Sequence, residues 1–408
     1  MEGLSMTTKM GVGYSDNPKS KEAGAQAATA AMNEAGVDGC QLALLFSTGK
    51  HDPGQLRDGV RSVIGQETRL IGGYSMGVIT KDYLGYDGNQ VGVAVMNSDT
   101  VKIDMFIEKG LPDNEYNVGV SLGEQFKNTE FIDEPNMLIM YDSVKTAATE
   151  AISLNMATPL VDGIGKSLGN WPRAAGVGMV GDLAFNPTYQ WFDNKIEHGT
   201  AMALVLSGGV RLDTIIMHGC YPAGSYHTIT KAEGNVVLEI DNKPALDMIA
   251  ELLGPDAGIS PEGYPFIVTL GVNKGDKFGE FREEDYANRL CMAVDEERRG
   301  LIMFEPNLME GTEAQLMARR FDLNYVGERS EELLKSIADR KPFFALYIDC
   351  TARASAFSGT EGEEAEGVQK TIGTKMPLLG IYSGVEIAKV GQGMLALDWT
   401  GVLCIFSE

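Results

Sequence analysis

Short apolar runs, separated by polar and glycine-rich stretches, recur in one order three times along the chain. In the first pass, Leu42 to Phe46 is followed by Leu56, Val60, Val63 and Ile64 at helical spacing, then by Ile71-Gly72-Gly73-Tyr74-Ser75-Met76-Gly77, then by Val91 to Met96 and Val101 to Phe106. The second pass runs Met137 to Met140, a helix across Thr149 to Leu168, Gly176 to Asp182, Ala201 to Leu206 and Leu212 to Met217. The third runs Phe343 to Ile348, a Glu-rich helix near Glu361 to Thr371, Pro377 to Glu386, Met394 to Leu397 and Val402 to Phe406. Short apolar runs between turn signals read as buried strands, so the repeat predicts a strand–helix–strand–strand–strand (βαβββ) unit with Gly in its second strand. The first three elements form a parallel, right-handed crossover. The turn compositions Asn97-Ser98-Asp99-Thr100 and Ser207-Gly208-Gly209 predict hairpins between the last two strands of units one and two.

Around these units, Asp16-Asn17-Pro18 predicts the start of an Ala-rich helix that Gly36 stops. His218 to Ser225 reads as a loop, Val236 to Ile240 as a strand and Pro244 to Leu253 as a short helix. Between Tyr264 and Phe304 strands are predicted, with Leu290 to Val294 and Gly300 to Phe304 paired across Asp295 to Arg299. Ser330 is the expected cap of a helix carrying Leu333, Leu334 and Ile337 on one face. The fold class expected is α/β, in the mixed α+β sense: repeated βαβββ units with mixed sheets covered by helices. Two domains are expected, 1–225 with two units and 226–408 with an insert plus the third.

A net charge of -23 sets the surface against phosphate backbones and anionic lipids. Nucleic acid and membrane partners are therefore not expected. No apolar run reaches the roughly 20 residues of a membrane span, and Met1 to Met10 lacks a secretory core. The cysteines at 40, 220, 291, 350 and 404 form no zinc spacing, which fits free thiols in a reducing cytosol. A cytoplasmic location follows as an expectation.

Two catalytic patterns fail on context. Gly73-Tyr74-Ser75-Met76-Gly77 matches the nucleophile elbow, but Val78-Ile79-Thr80 continues as extended chain where a helix is required. Gly176-Val177-Gly178-Met179-Val180-Gly181 matches a dinucleotide fingerprint, but Pro187 blocks the helix that would meet the phosphates. Polar residues gather at the end of each unit's first strand: Ser47-Thr48, Asp142-Ser143 and Asp349-Cys350-Thr351. Ligands of α/β sheets sit at such strand ends, although the same residues also serve as helix caps. Asp182 and Glu386 share one position of the repeat. Arg353 follows Cys350 by three residues, where it can lower the thiol pKa or hold a carboxylate. A buried thiol with a structural ion pair is the plainer alternative.

These segments resemble the FIST family. Gly13-Tyr14-Ser15, Ile71 to Gly77 and Gly176 to Asp182 are similar to its N-terminal domain. Gly219-Cys220-Tyr221-Pro222-Ala223-Gly224, Thr228-Ile229-Thr230, Gly234-Asn235 and Pro244-Ala245 resemble the junction into its C-terminal domain. Asp349 to Arg353 and Leu379 to Ile387 resemble the closing motifs. Two departures stand out: Val385 precedes Glu386 where Gly is usual, and Asp398-Trp399-Thr400 replaces Asn-x-Thr. The resemblance implies an intracellular sensory module in signal transduction that binds small ligands such as amino acids, here in a stand-alone form with a separate output partner. The expected ligand site is Arg353 for a carboxylate, Glu386 for an amino group, and Cys350, Tyr382 and Asp398 shaping the pocket. No catalytic residue is expected. One alternative is a haem-binding nitric oxide sensor, through His218 or His227, acting on a histidine kinase. The other is a hydrolase with Cys350 or Ser75 as nucleophile.

Overall fold

The computed structural model describes residues 8–146, 153–265, 267–320 and 322–408. It is a mixed α+β fold with 40% of the chain in strands, enough for four large sheets. Three of those sheets are built to one plan. Each unit contributes a lead strand (Thr8–Ser15, Lys102–Lys109, Arg211–Met217), a first core strand (Leu42–Ser47, Asn136–Asp142, Pro342–Cys350) and a second core strand (Arg69–Tyr74, Arg173–Met179, Leu378–Ser383). An arm hairpin follows (Gly77–Thr80 with Leu84–Tyr86, Gln190–Phe192 with Lys195–Glu197, Val385–Val390 with Gly393–Leu397), then a closing strand (Val91–Ser98, Thr200–Ser207, Gly401–Ser407). The core strands pair in parallel, Leu44 opposite Ile71, Leu138 opposite Ala175 and Leu346 opposite Leu379, as a crossover requires.

The arms do not stay with their own units. The arm of unit two extends the sheet of unit one, with Gln190 opposite Gly73. That of unit three extends the sheet of unit two, with Val177 opposite Glu386. That of unit one extends the sheet of unit three, with Leu379 opposite Thr80. The exchange closes a ring of three. The inner faces of the three sheets share one core that includes Leu44, Phe46, Met140, Val177, Leu346 and Ile348. Helices cover the outer faces, Ser20–Ala35 and Pro53–Ile64 on the first sheet and Glu115–Lys127 and Ala157–Leu168 on the second.

The repeated glycine of the second core strand has a steric cause. A Cβ on Gly72 would lie 1.9 Å from Leu45 O; one on Gly176 would lie 2.9 Å from Ile139 Cβ, and one on Gly380 2.9 Å from Ile79 Cβ. The strands approach too closely there for a side chain.

The hairpins expected after Met96 and Leu206 do not form. Closing strand Val91–Ser98 already has Leu42–Ser47 on one edge and Thr8–Ser15 on the other. Both edges of Thr200–Ser207 are likewise taken. The chain therefore turns at Asn97 to Thr100 and at Ser207 to Gly209 to open a lead strand in the next sheet. Gly401–Ser407 is the topological equal of Val91–Ser98, so the third repeat is shifted by one strand from the sequence alignment. The helix read from Thr149 begins at Ala157, and residues 149–152 lie outside the described ones, as do residues 1–7 of the Met1 to Met10 stretch. Ser330 lies inside helix Tyr325–Ser336, where its hydroxyl bonds back to Val326 O rather than capping.

The insert is the fourth sheet. Its pairing runs from Glu313–Arg319 through His227–Glu233, Val236–Ile240, Gly300–Met303 and Tyr286–Asp295 to Thr269–Asn273, which pairs back with Glu313–Arg319. The predicted pairing across Asp295 to Arg299 is present, with Val294 opposite Leu301. Helix Ala245–Leu253 packs Leu246 and Ile249 into this sheet's own core. Residue 225 falls inside the insert, after strand Cys220–Pro222, which forms in the stretch expected to be a loop and pairs with Glu313–Arg319, and before His227–Glu233.

Candidate functional site

The carboxyl ends of the parallel core strands converge on a cavity of about 470 Å³. Unit one supplies Met76; unit two supplies Ser143, Asn155, Val180 and Phe185. Unit three supplies Cys350, Thr351, Ser383, Gly384 and Asp398, and the insert supplies Leu290, Phe304 and Glu305. Most of the wall is apolar.

Of the five expected ligand residues, Cys350 and Asp398 line this cavity and Arg353, Tyr382 and Glu386 do not. Arg353 turns away into the protein. Its Nε meets Asp349 Oδ1 at 3.0 Å, its Nη2 lies 2.7 Å from Glu364 Oε2, and Nη1 donates to His218 O at 3.2 Å. Burial pulls the Arg353 pKa down, but Glu364 and Asp349 outweigh it and keep the guanidinium charged. The clamp expected for a ligand carboxylate is thus filled from within. Tyr382 donates its hydroxyl to Glu363 Oε2 at 3.1 Å. Glu386 accepts from Ser383 Oγ at 2.6 Å and Thr400 N at 3.3 Å, and burial pushes its pKa well up. Cys350 is buried, and that burial, with the Glu386 charge, raises its thiol. Arg353 is spent elsewhere and does not activate it.

Asp398 closes the cavity from the strand end before Gly401. Its Oδ2 accepts from Leu290 N at 3.0 Å, tying unit three to the insert, and burial raises its pKa to about 6 against the pull of Arg289. Glu305 was not singled out by sequence. Both its oxygens cap helix Ala157–Leu168, from Ala157 N at 3.0 Å and Thr158 N at 2.8 Å, and burial with the Asp398 charge raises it to about 7. A lone Glu after Phe304 carries no pattern that would reveal this. Asn155, also missed, holds Asp142 O at 2.8 Å and Val144 O at 3.3 Å.

The first-strand ends divide. Ser143, Cys350 and Thr351 face the cavity, whereas Thr48 Oγ1 bonds Gly88 O at 2.6 Å and Asp142 holds Val144 N and Gly199 N at 2.9 and 2.7 Å. Asp182 is on the wall; its repeat partner Glu386 is behind it. Neither histidine of the haem alternative reaches the cavity. His218 is fully buried, with Nδ1 accepting from Cys220 N at 3.0 Å and Nε2 donating to Glu283 O at 3.2 Å. His227 pairs with Asp241 at 2.7 Å and borders a crevice of about 10 Å³, too small for a porphyrin. Ser75 lies between strands Arg69–Tyr74 and Gly77–Thr80 and donates its Oγ to Gly77 O at 3.0 Å; Val78 to Thr80 are extended, as expected. Among the described residues no group of His, Cys, Asp and Glu could hold a metal ion, and no helix is long and apolar enough to cross a membrane.

Comparison with known proteins adds the family. The FIST N domain model matches residues 41–243 and the FIST C domain model residues 245–389. An uncharacterised protein of Mycobacterium bovis is 22% identical over 208 residues, 49% of this chain and 52% of that protein. One from Methanocaldococcus jannaschii is 35% identical over 72 residues, 18% of this chain and 14% of that protein. The chain spans about half the length of the first of these relatives. A crystal structure of cyanuric acid hydrolase from A. caulinodans aligns with 50% of this chain and 72% of its own, at 11% identity and a TM-score of 0.29, a likeness that carries no argument. FIST domains are regarded as small-ligand sensory domains of signal transduction. With both domain models matched in order over most of its length, the chain belongs to the FIST family.

Proposed function

We propose that this protein is a signal-transduction sensor whose small ligand occupies the cavity between the three units and the insert. The observation that carries the reading is the position of that cavity. Strand ends from every unit meet there, where α/β sheets bind ligands, and Leu290, Phe304 and Glu305 of the insert complete the wall. A ligand touching all four parts biases their arrangement, which is what a sensor must do before a separate output protein. The cavity suits a small metabolite with an apolar body and few polar contacts.

Val180 is buried on the cavity wall, so Val180→Trp fills the space from inside. In a thermal-shift screen of a metabolite library, at least one compound is expected to raise Tm, and the shift is expected to vanish in Val180→Trp. A library without any stabilising compound, or a filled variant that responds like the parent, would overturn the proposal.

A further inference from the structure

The proposed cavity makes a sharper demand on its ligand, and this inference rests on that reading. We infer that the ligand is an organic cation, an ammonium carried on a hydrocarbon body. Asp182, Glu305 and Asp398 line the wall, and among the described residues no Lys, Arg or His does. Asp398 is 3% exposed, and its Oδ1 has no partner. Asn155 is 2% exposed; its amide nitrogen is spent on Asp142 O and Val144 O, and its Oδ1 has no partner either. Two buried residues of one wall therefore each keep an acceptor without a donor. Such an atom is costly unless something supplies a hydrogen.

The nearest compensating charge is Arg289, which acts on Asp398 and Glu305 from outside the lining. Arg289 is buried behind the wall, with Nε on Asn307 Oδ1 and Nη1 on Asn288 O. Against that single guanidinium stand Asp398, Glu305 and Glu386. Glu305 has both oxygens occupied by backbone amides, so Asp398 is the carboxylate with capacity left. A ligand carboxylate would meet like charge and no cation to answer it. An ammonium meets attraction and supplies the missing N–H groups. Met76, Val180, Phe185 and Phe304 line the same cavity and call for hydrocarbon. An amino acid thus fits less well than the amine that shares its side chain.

The test is calorimetric titration of the full chain with four matched probes: 3-methylbutylamine, 3-methylbutanol, 3-methylbutanoate and leucine. The amine should bind at least about tenfold more tightly than the alcohol, since it gains a charged hydrogen bond in a dry site. The carboxylate and leucine should be weaker than the alcohol. Asp398→Asn keeps an acceptor for Leu290 N and should erase the amine's advantage while the alcohol still binds, which shows the cavity intact. Carboxylate or leucine binding as tightly as the amine overturns the cation inference and leaves the cavity reading standing. An amine advantage that survives Asp398→Asn overturns it as well. Absence of heat with every probe counts against both.

Discussion

Arg353 shows what a residue's neighbours in sequence conceal. Its partners are Asp349, one turn back, and Glu364, from the helical segment beyond the next loop. An arginine beside polar residues at a strand end reads the same whether its fork is empty or filled. Filled, it is structural. Arg353→Met would leave buried Asp349 without its cation and Glu364 with Arg319 alone, at a cost of about 3–5 kcal/mol. Urea denaturation without any ligand is the measurement, and the loss should be larger at neutral pH than in mild acid, where Asp349 takes up a proton. Unchanged stability would show that the pairs are not holding the fold. Cys350 and Asp398 were legible because strand ends are where polar residues in an apolar run stand out. Asn155 and Glu305 were not, since each is one polar residue in a loop with no spacing to mark it.

At the level of strands and helices, the apolar runs revealed which segments are extended and where the crossovers lie. Partner choice stayed hidden. Turn residues at Asn97 to Thr100 report that the chain reverses, not which sheet receives it, and both edges of Val91–Ser98 are already occupied. The arm exchange has a measurable signature. Ile79 is fully buried and pairs with Gly380 in a sheet otherwise built by unit three. Ile79→Ala should cost about 2–4 kcal/mol. It should also speed hydrogen exchange in Leu378–Ser383, far along the chain, more than in Leu42–Ser47 of its own unit. The reverse order would mean the arm contributes little to the sheet it joins.

For the whole molecule, the order of motifs pointed to the family, while the insert's sheet, which closes on itself, left no repeat to read. Charge sets the remaining prediction. Asp142, Asp349 and Asp398 are raised to about 6 and Glu305 to about 7, all by burial first. The groups facing them are His198 for Asp142, Arg353, Glu364 and Tyr347 for Asp349, Arg289 for Asp398, and Asp398 for Glu305. Each acid holds its proton more tightly folded than unfolded. Between about pH 4 and 7 the folded chain therefore binds more protons, and stability falls as pH rises through that window. Glu22, Asp241, Glu262, Glu283, Glu284 and Asp295, whose pKa values are lowered, and His51 and His218, lowered by burial, work in the opposite sense, so the prediction rests on the larger shifts of the buried acids, Glu386 among them. Scanning calorimetry should give a higher Tm near pH 5 than near pH 8, with a shallower slope in Asp398→Asn; a Tm that climbs over that range would sink the prediction.

The exchanged arms also decide how this chain can be divided. A scissor cut after residue 225 would strand Gly77–Tyr86 without its host and strip Val385–Leu397 from the second sheet. Each half would carry raw, sticky borders of the kind that drive clumping. Halves made together should reassemble, whereas either made alone should fall out of solution.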